Sequence, residues 1–241
     1  MGAAKAKKGR KVEAEQVSTV EDRKYEFTGE TKVALGVTLH RIRSVRAFGL
    51  IAAGTLGGWI ESERNLSQVS GNAWVYGDAR VYGDARVYGN AQVAGNAWVY
   101  GDARVSGDAQ VSDNAWVYGN AQVSGNAQVY GDARVSGDAQ VSGNAWVYGD
   151  AQVYGDARVY GPVIIATRSD GYTFTLVFDK NNVLRVIAGC RYFDMKGARS
   201  HWEWRAGTPL GDETDSILDH FERMAKAGAL GTAPVRQEAA E

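Results

Sequence analysis

The chain has 241 residues, 44% of them hydrophobic and 23% charged, with a formal net charge of −1. These values fit a soluble protein of one or two domains and argue against a chain built as a whole to neutralise phosphates. A single cysteine, Cys190, excludes an internal disulfide and any cysteine-based zinc site, which suits a reducing cytoplasm, and no stretch approaches the roughly 18 apolar residues of a membrane span.

Residues 1–23 are polar, with Lys5, Lys7, Lys8, Arg10 and Lys11 close together. They read as a solvated basic tail. No apolar core follows the lysines, so a signal peptide is not expected. Residues 24–66 form a non-repetitive segment expected to be an N-terminal cap. KYEFTGET and VTLHRIRSV have strand character, and LGGWIESERNLS is expected to start with a tight Gly-Gly turn.

From 67 to 162 the chain repeats A-x-V-(Y/S)-G-(N/D). Valines recur every sixth residue from Val69 to Val159, which counts sixteen hexads. Alternation in A-x-V-Y marks a short strand with Ala and Val on one side. Gly with Asn or Asp then supplies a corner, because both tolerate positive φ. The apolar side never changes, so hairpins are excluded and a coil with Ala and Val inside is the consistent solution. Three hexads close one coil, and parallel coils stack to about 25 Å at roughly 4.8 Å each. The reading is an all-β solenoid, a single-stranded parallel β-helix of about five coils. Open strand edges at its ends call for caps.

Residues 163–228 supply the second cap. YTFTLVF and VLRVIAGCRYF, joined by a DKNN turn, read as a hairpin. Helices are expected at 195–205 and from Glu213 to Ala227, the second with Ile217, Leu218, Phe221 and Met224 on one face and Asp212 as its cap. Residues 229–241 are expected to fray.

Outward positions sort by face, because residues three hexads apart stack. The first face stacks Arg80, Trp98, Trp116, Arg134 and Gln152 beside Tyr82, Tyr100, Tyr118, Ser136 and Tyr154. The second stacks Trp74, Gln92, Gln110, Gln128 and Trp146. The third stacks Arg86, Arg104, Gln122, Gln140 and Arg158. Trp, Tyr and Arg are the residues enriched at interface hot spots, and monomers seldom expose a large apolar patch. Trp98, Trp116, Tyr82, Tyr100, Tyr118, Tyr154, Arg80 and Arg134 are therefore the candidate ligand or partner surface. Its uses are packing of prisms into a trimer, or holding a protein, sugar or nucleotide on stacked rings with the arginines on phosphates. Ladder stacking without further role is the third option. Asp84, Asp102, Asn120, Asp138 and Asp156 line one corner, but exposed corners in water manage without a cation and no metal is expected. The repeat carries five arginines, no lysines and nine aspartates, the wrong sign for a nucleic-acid backbone surface.

The hexad resembles that of the hexapeptide-repeat proteins, a left-handed β-helix family that includes many acyltransferases. LHRIRSVRAFGLIAAGTLGGWIESERNLSQVSGNAWVYGDA is similar to the start of a group of bacterial and prophage β-helix proteins, some of them named as transferases. ATRSDGYTFTLVF with AGCRYF and HW resembles the C-terminal cap of the phage-type members. The resemblance implies a left-handed coil, a trimer and, for the enzymes, an acyl-CoA between neighbouring prisms with a histidine base. Histidines occur only at 40, 201 and 220, none of them in the repeat, and no inserted loop interrupts it. His40 reads as structural, and a Cys190–His201 nucleophile pair is conceivable but less favoured than packing. No catalytic residue or cofactor is assigned. The resulting expectation is a non-enzymatic scaffold or binding module of phage or prophage origin in the bacterial cytoplasm, acting as a homotrimer. A small-molecule sequestering protein and an acyltransferase are the alternatives.

Overall fold

A computed structural model describes residues 23–69 and 71–231. The basic tail expected over 1–23 lies, apart from Arg23, outside the described residues, as do residues 232–241. Strands β1 (Tyr25–Ala34) and β2 (Val37–Ser44) form an antiparallel hairpin, and β3 (Leu56–Ile60) follows. Fifteen short strands, β4 to β18, follow one per hexad: β4 is Trp74–Val75, β5 Arg80–Val81, β6 Arg86–Val87 and so on every six residues to β17, Gln152–Val153, with β18 at Ala157–Val159. The chain ends in β19 (Ile164–Thr167), β20 (Thr173–Asp179), β21 (Leu184–Ala188), β22 (Arg191–Phe193), α1 (Met195–Trp202) and α2 (Pro209–Lys226).

The short strands build three parallel walls. The first is β3-β5-β8-β11-β14-β17, the second β4-β7-β10-β13-β16, and the third β6-β9-β12-β15-β18. Along the repeat, each residue of a wall pairs with the one three hexads on, as in Trp98↔Trp116, Gln110↔Gln128 and Arg104↔Gln122. Leu66 bridges to Val87 on the third wall and Pro162 to Trp146 on the second, so each wall has six levels and the solenoid about six turns. Ala73 to Ala157 and Val75 to Val153 are buried at every level. Such a narrow interior admits one small and one medium side chain per strand, and each buried valine contributes roughly 1.5–3 kcal/mol.

Only the x-V dipeptide of each hexad lies in a ladder, so the strands are shorter than the A-x-V-Y alternation suggests. The tyrosine or serine that follows still donates its backbone N–H to the next coil, as Tyr100 does to the Val117 carbonyl at 3.0 Å. Corner glycines meet two demands. Gly107 has φ 68°, and a Cβ there would lie 2.9 Å from the Gly125 nitrogen one coil away. At the one corner without glycine, Asp113 takes φ 59° and its carboxylate accepts the Gly131 N–H at 3.0 Å. Asparagines stack along the corners as a ladder. Asn90 Nδ2 donates to Asp108 at 2.9 Å and Asn114 Nδ2 to Asp132 at 3.1 Å.

Two expectations for the start of the coil need correction. Val69 is 59% exposed and is not a core valine. Ile60 lies over Val81 and Leu66 over Val87, so the first turn is longer than the others by half a hexad. The extra length between Leu66 and Ala73 shifts the repeat, and Leu66, fully buried, fills the place assigned to Val69. Nor do Gly57 and Gly58 make a turn. They lie inside β3, where a Cβ on Gly57 would come within 2.5 Å of Ile42 and one on Gly58 within 2.7 Å of the Ala79 carbonyl.

The C-terminal segment continues the third wall, since β18 pairs antiparallel with β20. Its own core joins Phe174, Leu176, Val186, Trp202, Leu218 and Phe221. Helix α2 starts at Pro209 rather than near Glu213, and Thr208 is the N-cap instead of Asp212. The Thr208 hydroxyl accepts the Gly211 N–H at 3.1 Å, and proline is favoured in the first turn, where its missing N–H costs nothing. Leu230, expected to fray, is buried in the same core. Among the described residues no helix is long and apolar enough to cross a membrane.

Candidate functional site

The outer side of the first wall carries two columns of stacked rings. In one, Trp98 and Trp116 lie nearly parallel with centroids 5.4 Å apart. In the other, Tyr82, Tyr100 and Tyr118 stack at 5.0 and 5.1 Å with interplanar angles of 1° and 4°. The columns meet edge to face, Tyr82 on Trp98 at 6.1 Å and Tyr100 on Trp116 at 6.3 Å. The Arg80 guanidinium sits over Trp98 at 4.7 Å and the Arg134 guanidinium over Trp116 at 5.5 Å. In-register parallel strands produce this order: identical side chains one coil apart are held at stacking distance.

The eight residues singled out in the sequence do not form one open surface. Trp98, Tyr100, Trp116 and Tyr118 are half-buried and Arg134 is exposed. Tyr82 is buried, because the β1–β2 hairpin folds over this end of the wall and packs Leu39 against Tyr82 and Trp59. Its hydroxyl is buried without a hydrogen-bond partner among the described residues, and burial pushes its pKa up to about 12. Tyr154 serves the other cap. Its hydroxyl donates to the Arg191 carbonyl at 2.6 Å, with the Gly189 carbonyl at 3.2 Å.

The hairpin also brings residues that sequence reasoning missed. Lys32 Nζ lies 4.2 Å from the Trp59 ring centre and 3.5 Å from Asp78, and Arg41 lies over the same ring at 5.4 Å. The Trp59 N–H donates to Asp78 at 3.3 Å. That bond, with Lys32, holds the Asp78 carboxyl below the usual carboxylate range. The column thus runs Trp59, Arg80, Trp98, Trp116, Arg134. Trp59 pairs with Arg80 across the longer first turn, so counting back by three hexads missed it.

Elsewhere the placements are structural. Trp74 is fully buried between Tyr25 and Phe48, which corrects its outward assignment: the N-terminal segment covers that end of the second wall. Trp146, at the other end, is exposed. Cys190 is exposed, His201 packs on Phe193 and Trp202, and no hydrogen bond joins the two. His40 packs on Phe27. At the acidic corner Asn120 donates to Asp138 at 2.9 Å, Arg64 pairs with Asp84 at 3.6 Å, and Lys180 and Tyr192 engage Asp156. Among the described residues no group of three His, Cys, Asp or Glu is placed to hold a metal ion.

Three in-register walls, an Ala/Val interior and glycine corners define a β-solenoid repeat protein. Its repeats match the family model described as YdcK beta solenoid repeat over residues 67–83, 79–95, 85–100, 97–111, 109–125, 127–141, 139–152 and 151–165. The matched segments lie in the coil and leave most of both caps outside. A comparison with curated proteins finds no match.

Proposed function

We propose that the protein is a non-enzymatic scaffold whose first wall docks further copies of the same chain to form a trimer. The stacking of Trp98 on Trp116, closed at each end by a guanidinium, carries this reading. Ring faces already engaged by neighbouring rings and arginines are not free to stack on a planar ligand. What they offer outward is a stiff strip of ring edges and cations, with little side-chain entropy left to lose on contact. The setting proposed from the resemblance of the flanking segments is a phage or prophage accessory role in the bacterial cytoplasm. A second reading, sequestration of a small molecule, draws support from a cleft on the third wall rather than from the rings.

Light scattering on the full chain tests the first reading, with Trp98→Gln/Trp116→Gln as the control. Glutamine occupies this outer position at Gln152 of the same column and at three levels of the second wall, so the variant keeps the coil. A trimer that the substitutions convert to monomer supports the proposal. A monomeric wild type, or a trimer indifferent to both substitutions, overturns it.

A further inference from the structure

The third wall carries a cationic cleft. Arg86 and Arg104 occupy consecutive levels in register, so their side chains leave the wall about 4.8 Å apart. Like charges at that spacing repel. The first wall settles its own arginines by laying each over a tryptophan. Arg86 and Arg104 are exposed, and among the described residues neither makes an ion pair, a side-chain hydrogen bond or a ring contact. Arg64 completes the group from the first turn of the coil. Its ion pair to Asp84 is long at 3.6 Å, and both side chains are about 70% exposed.

Arg64, Arg86 and Arg104 border, with Ser67, Val87 and Tyr88, a cleft of about 350 Å³. The irregular first turn shapes it, because Ser67 belongs to the stretch that lengthens that turn. Tyr88 lies two residues beyond Arg86, on the same outer side. Ser106 follows it one coil on, so no ring covers its face, and it is 42% exposed. Below Arg104 the column changes to Gln122 and Gln140 before it reaches Arg158, so around the cleft the positive charge is held at two levels plus Arg64. Asp84 and Asp102 on the adjoining corner limit the field further.

We propose that this cleft binds a phosphate-bearing small molecule of the nucleotide class, its phosphates held by Arg86 and Arg104 and its ring against Tyr88. Guanidinium forks match phosphate oxygens in pairs, and a volume of this size suits a small ligand. Two levels of charge are too short for a polymer backbone, and the aspartates disfavour one. This inference rests on the second functional reading and is independent of the first wall: a monomer could bind, and a trimer could fail to.

Isothermal titration of the full chain with AMP, pyrophosphate, ribose 5-phosphate and inorganic phosphate tests it. Arg86→Gln/Arg104→Gln and Tyr88→Ser are the variants, because each installs the residue that the same column already carries at a later level. The expected result is tightest binding of AMP, at least tenfold weaker in the arginine variant. Tyr88→Ser should lower AMP affinity several-fold and leave pyrophosphate unchanged. Ribose 5-phosphate binding as well as AMP would overturn the nucleotide class and leave the phosphate site. No binding of any probe at millimolar concentration, or binding unchanged in the arginine variant, would overturn the site itself. So would arginine-dependent binding of a short DNA duplex without binding of AMP.

Discussion

The two ends of the solenoid are closed by unlike devices. At the N-terminal end the β1–β2 hairpin continues the first wall and then folds over its outer side: Tyr25 and Ile42 join the solenoid's own core, and Leu39 meets Tyr82 and Trp59 outside it. At the C-terminal end β19 to β22 continue the third wall, but two helices cover them and most of the apolar side chains meet one another. One cap is a flap on the solenoid and the other is a small domain fused to it. An edge strand needs only a partner to stop stacking, and these caps show two ways to supply one, with different consequences for cooperativity. The flap should melt with the coil, while the domain can open alone.

The largest expected effect separates the two directly. Phe221 is fully buried in the C-terminal core, so Phe221→Ala should cost about 3–5 kcal/mol there. Hydrogen exchange should show lost protection from 164 to 230 with the coil intact. Uniform loss along the chain would show that the C-terminal segment is no separate unit. Next comes Gly58→Ala. Its Cβ would press on the Ala79 carbonyl and on Val75, which belong to the coil. A loss of about 1–3 kcal/mol is expected, opposite to the usual gain from replacing glycine in a strand. It should lower the main melting transition rather than create a new one.

The ends should also answer pH in separate windows, the N-terminal end in alkali and the C-terminal end in acid. Lys24 is buried under the N-terminal cap. Burial first, then Arg46, lowers its pKa to about 8, against about 10.4 in an unfolded chain. Between those values the unfolded state binds more protons, so stability rises with pH. Tyr25, whose pKa burial raises, works against this once pH passes about 10. The N-terminal cap should therefore tighten from pH 8 to 10, and Lys24→Met should abolish the rise. Asp179 is the acidic counterpart. Burial opposes its charge, but the Val183 N–H, Arg185 and the Asn181 N–H outweigh that and hold its pKa below the usual range. Its stabilisation is present above about pH 4 and is lost as pH falls through the depressed value. Limited proteolysis across pH should release the C-terminal segment in acid first.

The same contrast explains what could be read from the sequence. In the coil every wall neighbour stands three hexads away, so the three columns and the Trp98–Trp116 stack follow from counting. In the caps neighbours are set by packing between segments far apart in the chain, as for Tyr25 with Leu66 or Arg168 with Thr214. Nothing local marks Trp74 as buried or Tyr82 as covered. The slip at Leu66 was legible in principle, since Ile60 and Leu66 keep the spacing of six, but Val69 offered the same residue type in a better-looking frame. The cationic cleft on the third wall was visible as a column of arginines. Its third member, Arg64, became visible only with the slip.

The smallest expected difference compares one chemistry at both ends. Tyr25 donates its hydroxyl to the Leu66 carbonyl at 2.8 Å, in full burial. Tyr154 donates to the Arg191 carbonyl at 2.6 Å, where water can reach. The Tyr154 contact is the shorter of the two, so length alone would rank Tyr154→Phe as the costlier loss. Burial ranks them the other way. Water can replace the lost donor at Arg191, which leaves a net cost of about 0.5–1.5 kcal/mol. Behind Tyr25 the carbonyl loses a donor that no water replaces, and the cost should be about 1–3 kcal/mol. Denaturant unfolding of the two phenylalanine variants gives the order. If Tyr154→Phe proved the more damaging, the C-terminal unit would depend on its tether to the coil, and its reading as a domain with an independent core would fail.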